Sequence, residues 1–251
     1  MRALPNEHDQ FDAPAEAYAS GRPGYPVELG DLFRSRLRLG PGDSVLDLGA
    51  GTGQLTSLLV QIDLEVIAVE PLKQMRARLE QLGVRSVEGR AERIPLPENS
   101  FEAVFVAQAF HWFDYAQALP EIHRVLVPSG HLCAIWNRRC AESGWQRDYA
   151  TAIAPYRDSA KTEESVDWRT PLERYAEFGS IHEESFEHEQ TATAETFLDR
   201  VSSLGYVARL SRSEQDSLLA RVAEIVRPEA QRGGGVLRIP YQTLVYWCAA
   251  R

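Results

Sequence analysis

The chain reads as an α/β protein built on a doubly wound, mostly parallel sheet, and three observations predict this. Short aliphatic runs at 45–48, 66–69, 101–107 and 131–136 alternate with stretches whose apolar residues recur at three- and four-residue steps. The first aliphatic run enters Gly49-Ala50-Gly51-Thr52-Gly53, three glycines at alternate positions, with an amphipathic stretch directly behind. The second ends in an acid, Glu70, about twenty residues on, the register in which an acid at the end of the second strand reaches ribose hydroxyls. Strand, glycine turn and helix N-terminus together form the arrangement that holds a ligand at the carboxyl end of the first strand.

In chain order, residues 1–25 are rich in Pro, Gly and Ala, with Phe11, Tyr18, Arg22 and Tyr25 among them. Leu29, Leu32, Phe33 and Leu37 mark one face of a helix closed by Gly40-Pro41. After the glycine turn, Leu55, Leu58, Leu59 and Ile62 mark a second helix; Val66–Val69 is the second strand. Leu72, Met75, Leu79 and Leu82 share a helical face, so Met75 is open to both a core and a ligand-packing role. Residues 84–88 form a third strand, and Phe101–Ala107, apolar but for Glu102, a central parallel one. Pro120 is expected to open the next helix and Pro128-Ser129-Gly130 to end it, before the fifth strand at 131–136. Beyond lie helices at 144–157 and 170–177, a charged edge strand at 182–190 and a helix after Thr193. A longer helix follows, capped by Ser213 and ending before Pro228, and a triple-glycine turn precedes the closing strand. The expected division is a lead and cap helix over 1–42, a core over 43–137 and a C-terminal half over 138–251, all in one domain.

Composition narrows the chemistry. The 251 residues carry a net charge of -9, which disfavours extended contact with phosphate backbones and so a nucleic-acid partner. Three cysteines (Cys133, Cys140, Cys248), odd in number and without framework spacing, suit a reducing compartment, and no grouping has the spacing of a structural zinc site. No apolar run has membrane length, and the N-terminus lacks the apolar core of a signal peptide. The expectation is a cytoplasmic protein, monomer or homodimer, with a small-molecule partner, no membrane or nucleic-acid partner, and no metal.

The glycine spacing differs from G-x-G-x-x-G by bringing the third glycine one residue early, and no Lys-Ser or Lys-Thr follows as in a P-loop. The segment Val45–Leu55, VLDLGAGTGQL, resembles motif I of the class I S-adenosylmethionine (SAM)-dependent methyltransferases, with Asp47 at the family's acid. AYASGRPGYP (17–26) is similar to the lead of a subgroup that includes trans-aconitate-like enzymes. Gly89-Arg90-Ala91-Glu92 resembles the family's Gly-Asp-Ala-Glu segment, departing from it at Arg90; Ala107–Trp112 resembles its AxxxHW segment. The resemblance covers roughly the first half of the chain and reaches the type 11 methyltransferases. It implies a Rossmann-like seven-stranded sheet with helices on both faces, the last strand antiparallel, and a helical lid over the substrate.

The resemblance also implies roles. Asp47, Gly49, Ala50, Gly51, Thr52 and Gln54 would form the motif around the amino-acid end of SAM, with Tyr18 over the cleft and Arg22 forked onto the carboxylate. Glu70, followed by Pro71, would hold the ribose; Met75, Ala91 and Glu92 would meet the adenine. Gln108 and Ala109 would underlie the methionine part. His111 has two readings: a general base, since an imidazole titrates near neutrality, or a structural residue shaping the pocket. Trp112, Trp136, Asn137, Tyr206 and Arg209 are candidate acceptor contacts. Two other functions compete. One is a SAM-binding protein without methyl transfer, a cyclase, isomerase or regulatory module. The other, an NAD(P)-dependent oxidoreductase, is disfavoured by the glycine register and by the absence of a Tyr-x-x-x-Lys pair.

Overall fold

The structure, a computed structural model, describes residues 23–140, 144–157 and 164–251. Tyr18 and Arg22 lie outside the described residues. Seven strands form one mixed sheet in the order β3-β2-β1-β4-β5-β7-β6, the last strands antiparallel. They are β1 (Ser44–Leu48), β2 (Glu65–Val69), β3 (Arg85–Val87), β4 (Phe101–Ala107), β5 (Leu126–Arg139), β6 (His182–Ala192) and β7 (Leu237–Ala249). β1 pairs in parallel with both β2 and β4, so the chain winds outward in two directions from this strand. Such a reversal opens a crevice beyond the carboxyl ends of the strands, here after Leu48 and Ala107.

Alternation along the strands explains why helices cover both faces. Val45, Ala103, Phe105, Cys133 and Ile135 face one side, where α1 (Leu29–Arg36) and α2 (Gln54–Gln61) bury Leu29, Phe33, Leu55 and Leu59. Leu46, Leu48, Val104, Val106, Ala134 and Trp136 face the other. There α4 (Tyr115–Val125) contributes Ala118, Leu119, Ile122 and Val125, and α6 (Arg169–Arg174) contributes Leu172. Between these, α3 (Lys73–Gln81) follows β2 and buries Met75 and Leu79.

The chain divides into two compact units. Of the described residues, the first holds 23–138, 164–188 and 241–251, and with them both faces just described. The second includes 139–140, 144–157 and 189–240, with α5 (Gly144–Arg157), α7 (Ala194–Ser202), α8 (Gly205–Ala208) and α9 (Arg212–Arg232). Within it α9 packs against α5 and α7, and Phe197 sits edge-on to Trp145 and Tyr149 at 5.4 and 5.0 Å.

Five boundaries differ from expectation, for local reasons. The helix expected to open at Pro120 opens at Tyr115, because the Asp114 carboxylate caps it by accepting the Ala116 N–H at 3.1 Å. Pro120 lies on the exposed face, so the carbonyl it frees, that of exposed Ala116, meets water. The same arrangement carries α9 through Pro228, over exposed Glu224, to Arg232. Its cap is Ser211 rather than Ser213: a capping box joins Ser211 and Glu214 reciprocally. Finally α6 ends at Arg174, where Tyr175 turns extended, and the Pro128-Ser129-Gly130 segment lies inside β5, with Ser129 at φ +65°.

Candidate functional site: the strand ends around the glycine turn

Two of the glycines are enforced by close approach as well as by conformation. Gly49 has φ +74°, and a Cβ there would stand 2.9 Å from the Ala109 Cβ, so the ends of β1 and β4 meet at this point. Gly53 has φ +86°, and its Cβ would fall 2.6 Å from Leu82 Cδ1 and 2.9 Å from Leu79 Cδ2; its absence lets α3 close on the turn. On the other side the turn is bound to β2. The N–H groups of Gly49 and Ala50 donate to the Val69 carbonyl at 2.8 and 3.3 Å, and the Gly51 N–H donates to Glu70 Oε2 at 2.9 Å.

Glu70 is thus the hinge pin between two strand ends. Its second oxygen accepts the Leu72 N–H at 2.9 Å. Burial, the largest influence, raises its proton affinity, while the two N–H bonds and the Arg76 charge act against that. Arg76 also fixes the backbone there, donating to the Glu70 and Pro71 carbonyls at 2.8 and 2.7 Å and pairing with Glu88 at 2.6 Å.

Asp47 lies fully buried beneath the turn. Its Oδ2 accepts the Thr56 hydroxyl at 2.5 Å. Its Oδ1 has no partner among the described residues, and neither does the buried Thr52 hydroxyl. Burial pushes the Asp47 carboxyl up to about 7, with the Thr56 bond opposing and the Glu70 charge adding to the rise. Met75 is buried, with Sδ 3.9 Å from where a Cβ on Gly51 would stand. Gln54 opens α2 just behind the turn.

The other candidates divide. Ala91 is buried, and Glu92 Oε1 accepts the Asp114 N–H at 3.0 Å, binding its loop to the start of α4. Gln108 takes φ +57°, and its Nε2 donates to the Asn137 carbonyl at 3.1 Å. His111 and Trp112 lie in the short turn Phe110–Trp112, ring centroids 5.1 Å apart. Trp136 is fully buried against Phe110, Trp168 and Tyr246, and its indole N–H donates to His111 Nδ1 at 3.2 Å. The Asn137 amide donates to the Gly24 carbonyl at 3.0 Å and accepts the Thr243 hydroxyl at 2.6 Å. The structure therefore brings Asp47, Gly49, Gly51, Thr52, Glu70, Met75 and Ala109 together. Tyr206 on α8 and Arg209 at its end belong to the second unit.

Sequence reasoning passed over Thr56, Arg76, Thr243 and His188. Thr56 falls among the leucines of α2, and only its pairing with Asp47 marks it. Arg76 is one of several arginines on α3. Neither Thr243 nor His188 carries a local signal.

These groups fit SAM. Two buried, unmatched oxygens beside a bare-backbone turn suit a charged amino-acid end. Each Glu70 oxygen, bonded once to the backbone, retains a second lone pair for a sugar hydroxyl. Among the described residues there is no group of three or more metal-ligating side chains, and no helix is long and apolar enough to cross a membrane.

Comparison with known proteins agrees. The methyltransferase domain family matches residues 46–134. An uncharacterised methyltransferase of Mycobacterium tuberculosis is 37% identical over 241 residues, 93% of each chain. A structure described as a putative type II methyltransferase from Anaeromyxobacter dehalogenans superposes with a TM-score of 0.72 at 24% identity, covering 90% of this chain and 97% of that one. A Haemonchus contortus phosphoethanolamine N-methyltransferase, solved with S-adenosylhomocysteine, shares the fold at a TM-score of 0.54 and 16% identity, covering 94% of this chain and 56% of that one. The glycine turn tied to Glu70 and the identity along nearly the whole chain lead to one conclusion: this protein belongs to the class I SAM-dependent methyltransferases.

Proposed function

We propose that the enzyme methylates a small molecule by in-line displacement. The observation that carries the cofactor side of this reading is the hydrogen bond from the Gly51 N–H to the Glu70 carboxylate, which makes one site of two strand ends. The acceptor side is supported by the net charge of -9, unsuited to a phosphate backbone. Bound SAM supplies a methyl group already attached to a good leaving group, so what the protein must add is largely alignment. Asp47 and Thr52 offer the amino-acid end a buried carboxyl and a buried hydroxyl. Glu70 orients the ribose, Met75 and the loop at Ala91 and Glu92 flank the base, and Gln108 and Ala109 close the floor. Trp112 and Asn137 border the acceptor, while His111, held by Trp136, shapes that wall. A monomer or homodimer acting in the cytoplasm fits this reading.

The test has two arms. Calorimetry should register SAM and S-adenosylhomocysteine and no NAD; binding of NAD alone would overturn the cofactor assignment. Incubation with methyl-labelled SAM and a small-molecule extract should then give a labelled low-mass product. Tight cofactor binding without label in any product would favour the fold's use for cyclisation, isomerisation or regulation instead.

A further inference from the structure

Two histidines of the first unit hold the same tautomer with opposite consequences. An indole nitrogen can only donate, so the bond from Trp136 Nε1 to His111 Nδ1 at 3.2 Å consumes the Nδ1 lone pair and places the imidazole proton on Nε2. His111 in that state has no lone pair with which to accept a proton. His188 on β6 differs. The Asn137 Nδ2 lies 3.0 Å from the Gly24 carbonyl, which can only accept, and this fixes the orientation of the amide. Asn137 Oδ1 is therefore an acceptor, for the Thr243 hydroxyl at 2.6 Å and for His188 Nε2 at 3.3 Å. His188 must carry its proton on Nε2, which leaves the Nδ1 lone pair available. Nδ1 has no hydrogen-bond partner among the described residues, and the half-buried ring stacks on Tyr241 at 5.5 Å and 24°.

Position agrees with chemistry. The Asn137 that orients His188 also has its carbonyl held by Gln108, the residue that follows β4, at the sheet edge where this fold takes its ligands. We infer that His188 is the general base of the methyl transfer and that the acceptor's reacting group is a hydroxyl. The inference rests on the methyl-transfer reading above. A carboxylate acceptor arrives without a proton and would leave such a base idle; a hydroxyl gains from it. In the step, a lone pair of the hydroxyl oxygen forms the bond to the methyl carbon, and the carbon–sulfur bond breaks with its pair going to sulfur. The hydroxyl proton passes to His188 Nδ1 and from there to water. Among the described residues, the titratable groups facing His188 are Tyr241, stacked on it, and Glu28. Burial lowers the proton affinity of the ring and the Glu28 charge partly restores it, a balance that favours the neutral imidazole.

The test uses the full chain, methyl-labelled SAM and a small-molecule extract. His188→Gln retains an N–H for Asn137 but no basic nitrogen. Its rate of labelling should fall about a hundredfold to ten-thousandfold, the span of general-base catalysis, with S-adenosylhomocysteine affinity within about twofold of wild type. The labelled product should be an ether, stable to mild alkali. In wild type the rate should fall as pH drops below the ordinary imidazole value, and this reading needs no variant to fold. An undiminished rate in His188→Gln, a flat acid limb, or label released by alkali as methanol overturns the role of His188 alone. Cofactor binding with no labelled product overturns the methyl-transfer reading and this role with it.

Discussion

The ends of β1 and β2 and the ends of β4 and β5 lie on the same sheet edge but are built in different ways. Around the glycine turn, partners are near in sequence: Thr56 and Asp47 are 9 residues apart, Gly51 and Glu70 are 19 apart. Polar capacity there is left over, in Asp47 Oδ1 and the Thr52 hydroxyl. Around Asn137, partners come from 113, 106 and 51 residues away, and every terminal atom of the amide is engaged. Burying an unmatched oxygen costs stability, and a bound ligand recovers it. A side chain satisfied by distant segments is rigid before any ligand arrives. On the proposed function, the first end gains energy from the cofactor and the second holds a geometry for the acceptor.

The largest effect that would sharpen this contrast is expected from Gly49→Ala. A residue with φ +74° and a Cβ 2.9 Å from Ala109 Cβ meets both backbone strain and a neighbour with no flexible end to move aside. Strain and overpacking together cost about 3–5 kcal/mol, read as a lowered denaturation midpoint. A variant as stable as wild type would mean that the ends of β1 and β4 do not meet as described.

Asp47→Asn probes the leftover polar capacity through pH. The folded carboxyl holds its proton up to about pH 7, whereas in the unfolded chain it ionises near 3.8. Between these values the folded state binds more protons, so this group's contribution to stability falls as pH rises. Asparagine has no proton to lose. Relative to wild type, the variant should gain about 2–3 kcal/mol between pH 5 and pH 8. A constant difference across that range would place Asp47 in a solvated, ordinary environment and remove the main distinction of the first end.

How much of this was legible beforehand follows the same division. The glycine turn, Glu70 and the parallel strands could be read because each depends on residues within one strand–helix–strand unit. The capping box at Ser211 was equally local, but Ser213 offered a competing hydroxyl and only the reciprocal bond from Glu214 decides between them. Pro120 and Pro228 misled because a proline's effect depends on which helix face it occupies, and that is set by tertiary burial. His188 was invisible: a histidine amid the glutamates of an exposed edge strand acquires its meaning from Asn137 and Tyr241, 51 and 53 positions away in the chain. The two readings of His111 turn on the indole N–H donated to its Nδ1 by Trp136, a partner 25 positions away.

Glu70→Ala should weaken S-adenosylhomocysteine binding tenfold to several hundredfold, the loss of one to two charge-assisted bonds at about 1.5–3 kcal/mol each, less than additive. Part of that loss is indirect, because Gly51 and Leu72 also lose the acceptor for their N–H groups and the turn loosens from β2. Calorimetry on the purified chain reads it directly. Unchanged affinity would remove Glu70 from the site and leave the first end without its joining residue.

The smallest effect tests the second end. Thr243→Val keeps the shape of a fully buried side chain and removes only the hydroxyl that donates to Asn137 Oδ1. Because Asn137 still accepts from His188, no acceptor is stranded, and the cost should be about 1 kcal/mol in stability. S-adenosylhomocysteine affinity should stay within about twofold, since nothing at the glycine turn depends on this bond. If affinity falls with stability, the two ends are coupled through the sheet and the contrast fails. If both hold, the amide retains its orientation on Gly24 alone, and the proton on His188 stays on Nε2 for the same reason as before.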